Sequence, residues 1–68
     1  MFRKEILIDQ TSYLELAGRK SGDRDLLALT MRGKGSAGQT TLASVALTRA
    51  EVEELQGQLA DWVASLAG

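Results

Sequence analysis

The stretch Val45-Ala46-Leu47-Thr48-Arg49-Ala50-Glu51-Val52-Glu53-Glu54-Leu55 decides the fold. It changes from β-branched, strand-favouring residues to helix formers within one residue, at Thr48. Thr48-Arg49-Ala50-Glu51 has the form of a capping box. There the threonine hydroxyl accepts from the Glu51 amide and the Glu51 carboxylate reaches back to the Thr48 amide. Leu47 and Val52 flank the cap as a hydrophobic staple does. Beyond the cap, Val52, Leu55, Leu59, Trp62, Val63 and Leu66 recur at helical spacing and form one apolar stripe, the core or dimer face of a helix over about 49–66. Glu51, Glu53 and Glu54 stand near its positive dipole end. Gly57, Ala60, Ala64 and Ala67 lie beside the stripe, and alanines there chiefly favour helix.

Working back from the helix, residues 40–47 read as the strand that leads into it, and Leu27, Leu29 and Met31 alternate with Ala28, Thr30 and Arg32 as a strand over about 25–32. The first segment, about 2–16, alternates as well. Phe2, Ile6, Ile8, Leu14 and Leu16 share one parity, and Arg3, Glu5, Asp9, Thr11, Tyr13 and Glu15 share the other. Asp9-Gln10-Thr11-Ser12 interrupts this pattern with turn-forming residues, which leaves three strands or four. Residues 17–24 and 33–38 read as glycine-containing loops. The expected architecture is a single α+β domain over residues 1–68. It is an antiparallel meander sheet of three or four strands, followed by one C-terminal amphipathic helix that covers a face of the sheet.

Composition limits the chemistry. The 68 residues include no Cys, His or Pro. Nucleophilic cysteine or histidine chemistry, a disulfide and a Cys/His zinc site are therefore excluded. Glu51 and Glu54, one turn apart at a helix start, are placed for capping and dipole roles rather than acid–base catalysis. Gly33-x-Gly35-x-x-Gly38 matches a dinucleotide fingerprint in spacing, but strand-like residues follow it where a helix N-terminus must receive the phosphate. Gln39 occupies the position of the phosphate-binding lysine. The expectation is a non-enzymatic protein without metal or cofactor. No apolar run is long enough for a secretory or membrane segment, so the expected location is cytoplasmic. A chain this short, with no disulfide or metal, is expected to form a homodimer.

The formal net charge of −1 conceals a division. Residues 1–49 carry eight basic side chains against five acidic ones, a net +3, while residues 50–68 carry −4. Antiparallel pairing of the first two expected strands brings Arg3 and Lys4 toward Arg32 and Lys34. It also places Tyr13 near Arg19, Lys20 and Arg24. Basic side chains beside an exposed aromatic on a sheet suit single-stranded nucleic acid, with ionic contacts to the backbone and stacking to bases. The alternative is a protein–protein interaction or regulatory module that meets its partner through the acidic helix or an apolar face.

Val45-Ala46-Leu47-Thr48 followed by Glu51, Leu55 and Leu59, after a basic glycine-containing loop, resembles the positive-cofactor-four family of transcriptional coactivators. The likeness covers roughly residues 25–66. It departs from the family pattern where proline is usual, at Arg49-Ala50, and at Val52, where an aromatic is usual. The resemblance implies a homodimer joined through helices and strands that grips single-stranded DNA across its β-surface.

Overall fold

The computed structural model describes residues 2–35 and 38–67. Four antiparallel strands pair in chain order, and one helix follows. The strands are β1 (Arg3–Leu7), β2 (Ser12–Ser21), β3 (Arg24–Gly35) and β4 (Gly38–Thr48), and the helix is α1 (Arg49–Ser65). This is the expected α+β meander, with the four-strand count.

The first segment splits because Asp9 builds a turn. One of its carboxylate oxygens accepts from the Thr11 amide at 2.8 Å, the Thr11 hydroxyl at 3.0 Å and the Ser12 hydroxyl at 2.9 Å. The Thr11 amide leads the bonds that hold this carboxyl below its usual value. The loop expected over residues 17–24 is mostly strand, since Ser21 pairs with Arg24 around a two-residue turn. Gly22 enters that turn at φ +66°, a region a side chain would disfavour. The loop expected over 33–38 likewise contains strand as far as Gly35 and again from Gly38, with residues 36 and 37 outside the described residues. Polar strand ends such as Arg19-Lys20-Ser21 extend β2 because backbone pairing needs no apolar side chain.

The capping box forms as expected. The Glu51 amide donates to the Thr48 hydroxyl at 3.3 Å, and the Thr48 amide donates to the Glu51 carboxylate at 2.9 Å. That amide bond, followed by one from the Thr48 hydroxyl, lowers the Glu51 pKa. A lowered carboxyl value stabilises at neutral pH, and the contribution fades as pH falls through it. Thr48→Ala removes the cap and is expected to cost about 1 kcal/mol. For a domain of this size, a thermal scan should show the unfolding midpoint falling by roughly 4–8 °C.

The helix does not cover the sheet, contrary to the sequence expectation. Among the described residues no helix residue is buried, and Val52 alone is half-buried. Trp62, Val63 and Leu66 are each at least 60% exposed. The cause is the junction. β4 ends at Thr48 and α1 begins at Arg49, whereas a helix that folds back over its own sheet follows a loop of about 2–6 residues.

Strand register sorts the side chains onto two faces. One carries Ile6, Leu14, Leu16, Leu27, Leu29, Met31, Val45 and Leu47. A bulge opposite Met31 and Arg32 adds Leu42, whose side chain lies 3.5 Å from where a Cβ on Gly33 would stand. Sequence alternation makes this the core face, yet none of these residues is buried, and Ile6 and Val45 are half exposed. The buried residues among those described are Tyr13, Glu15, Ala28 and Thr30, all on the opposite, polar face. Arg3 and Arg32 close on Glu15, and the Lys34 ammonium lies over the Tyr13 ring.

The molecule is accordingly thin and wide, 41 × 40 × 18 Å, with a radius of gyration of 14.3 Å. A compact domain of this length has a radius of about 11 Å. The accessible surface of 5532 Å² exceeds by about 1,400 Å² that of a compact monomer of the same mass. Among the described residues no helix is long and apolar enough to cross a membrane.

Candidate nucleic-acid interface

The polar face gathers most of the basic residues. By register, Arg3 of β1, Arg19 of β2, and Arg24, Arg32 and Lys34 of β3 share it with Tyr13 and Glu15. Lys4 and Lys20 belong to the apolar face, since Lys4 pairs with Leu16 and Lys20 pairs with Asp25. Lys20 also forms an exposed 3.0 Å ion pair with Asp25. Of the eight residues expected at the interface, the sheet therefore brings six to one surface and turns two away.

Their order along that surface also differs from expectation. Because the chain reverses after β1, Arg3 lies opposite Ala17, not opposite the end of β3. Tyr13 lies opposite Arg32, about 20 Å along β2 from Arg19. The ring of Tyr13 is 6% exposed, with the Lys34 ammonium 5.9 Å from its centroid. It gives Lys34 a cation–π partner and offers no open face for stacking.

At the centre of the face is a row of contacts that crosses all four strands. Arg3 of β1 donates to one Glu15 oxygen at 2.6 Å, and Arg32 of β3 donates to the other at 3.3 Å. Arg32 also donates to the Thr41 hydroxyl of β4 at 2.8 Å. Diagonal neighbours on one face of a sheet are within reach of long side chains, and period-two alternation puts all four on that face. The Glu15 side chain is only 7% exposed, against 66% for Arg3 and 29% for Arg32. Both carboxylate oxygens are thus occupied, while each guanidinium keeps unused N–H donors.

Beside this row opens a groove of about 820 Å³, lined among others by Phe2, Arg3, Glu15, Arg19, Leu26 and Arg32. By alternation Phe2 falls with Ile6, Leu14 and Leu16, and Glu15 is one of the five acidic charges of residues 1–49. In the structure Phe2 is 51% exposed at the groove, and a Cβ on Gly18 would stand 3.2 Å from its Cβ. Chemically, the groove presents three guanidiniums, the Lys20 ammonium, the Glu15 and Asp25 carboxylates and an aromatic edge, so Lys20 reaches the groove although its strand position belongs to the other face.

No protein-family model matches this sequence, and no curated protein and no solved structure matches it either.

Proposed function

We propose that this protein is a non-enzymatic homodimeric module that binds single-stranded nucleic acid on the polar face of its sheet. The observation that carries the reading is the clustering of Arg3, Arg19 and Arg32 around one open groove on a sheet face that no helix covers. A sheet face whose fixed cations line an open groove suits an extended polyanion. Buried Tyr13 removes the expected stacking platform, so affinity comes mainly from phosphate contacts and is modest and sequence-tolerant. The resemblance to the positive-cofactor-four family agrees with this reading in strand and helix order.

The second copy is supported by the apolar face. An apolar face on which Ile6, Leu42 and Val45 stand exposed, together with the unpartnered stripe of α1, is more than a small monomer leaves in water. The surplus of about 1,400 Å² falls within the roughly 1,000–2,500 Å² that each chain of an obligate homodimer buries. The same apolar face and the exposed Trp62 favour the alternative reading, a protein-interaction module, should a different chain occupy them.

Titration of a labelled single-stranded oligonucleotide at two salt concentrations tests the function. The expected result is binding at low salt with a slope of roughly one to three released ions. Absence of binding at low salt overturns it in favour of the protein-interaction reading.

A further inference from the structure

Glu15 is an expensive residue to place where it stands. A carboxylate on a sheet face taken from water loses hydration that two ion pairs at best return. Replacement by an apolar residue would suit the neighbouring Ala17 and Ala28 on that face. Its two bonds do something an apolar residue cannot. They fix the orientation of guanidiniums that come from different strands, β1 and β3, and that both line the groove. Arg32 is fixed a second time by Thr41. A planar guanidinium presents N–H donors in a rigid fork, so fixing one edge on a carboxylate aims the others.

We propose that Glu15 is a positioning residue for phosphate, holding Arg3 and Arg32 as a preset pair for one phosphodiester of a bound single strand. The inference rests on the reading of the polar face as a nucleic-acid surface. The phosphodiester takes donors that Glu15 leaves unused, and the carboxylate stays beneath the pair. Ordering the two long side chains before binding removes an entropy cost that association would otherwise carry.

Glu5 supplies an internal control. It lies directly opposite Glu15 in the register, on the same face, and among the described residues it has no ion-pair partner. If the face acted only as an average field, removing either negative charge would strengthen binding. Positioning gives the two glutamates opposite signs. With labelled ten-nucleotide oligodeoxythymidine, Glu5→Gln is expected to bind equally or up to about twofold tighter. Glu15→Gln is expected to bind roughly fivefold weaker, with the salt slope reduced by about one ion, although the protein has become less negative. A role confined to stability would lower the unfolding midpoint of Glu15→Gln and leave the slope of its folded fraction unchanged.

Equal or tighter binding by Glu15→Gln overturns the proposal. Should that variant fail to fold, Arg3→Lys decides. It keeps the charge on the exposed edge strand but loses the fork, and a roughly threefold loss supports positioning. Unchanged affinity overturns it. If the unsubstituted protein does not bind at low salt, the nucleic-acid reading fails and this inference fails with it. Wild-type binding with a tolerant Glu15→Gln removes this inference alone.

Discussion

Val45→Asp is expected to abolish assembly and to unfold most of the protein at micromolar concentration. Val45 is 52% exposed and lies opposite Leu29 on the apolar face, partway along the edge strand β4. On an isolated sheet, a charge at so open a position costs about 1 kcal/mol, the span of strand propensities. Beneath a second copy the same carboxylate is stripped of water without a partner, at a cost of several kcal/mol. The size of the effect therefore reports whether the face is covered. Sedimentation velocity and circular dichroism on the wild type and the variant measure it. A variant that folds like the wild type, with both monomeric at high micromolar concentration, removes the second copy from the account.

Arg32→Ala is expected to weaken both fold and binding. Arg32 joins β2 to β4 across β3, through Glu15 at 3.3 Å and Thr41 at 2.8 Å. Its removal leaves Glu15 with Arg3 alone. The pair is part-buried, with the Arg32 side chain 29% exposed, and Glu15 keeps Arg3, so the expected loss is about 1–2 kcal/mol, below that of a fully buried pair. A urea titration should show an earlier midpoint, and oligonucleotide affinity should fall about tenfold with a shallower salt slope. Arg19→Ala is the contrast: among the described residues Arg19 forms no ion pair, so it should lose affinity with little change in stability. Equal stability losses in both variants would refute the special place given to Arg32.

The parts of the fold legible in the sequence were those written in local chemistry. Thr48 and Glu51 mark the helix start because each supplies what the other's backbone lacks. Alternation in β2 and β3 is plain for the same reason, since neighbouring residues must face opposite sides. What stayed hidden depended on which strand lies beside which. Whether residues 9–12 split the first segment decides where Arg3 lies, and the split sets it beside Ala17; the tight turn after Ser21, in place of a loop over 17–24, sets Tyr13 opposite Arg32. Parity correctly separated Leu14 and Leu16 from Tyr13 and Glu15, but it could not say which set a single chain buries. Arg3, Glu15 and Arg32 each fall on the non-apolar side of their own strand's alternation, which is a usable signal. Their meeting needed the four-strand register, in which β2 lies between the other two. Expected strand ends place Lys4 and Lys20 near the other basic residues, whereas alternation within β1 and β2 sets both on the apolar face.

The missing loop between β4 and α1 has a further consequence under the dimer reading. A chain that cannot close its own core folds by a bimolecular step, so its stability is a function of how many copies are present. Dilution would act on it as a denaturant does. Scarce chains would remain open to proteases, whereas a modest rise in abundance would convert them together into folded, binding-competent pairs. On that reading the direct passage from Thr48 to Arg49 would make supply of the protein itself the switch for binding.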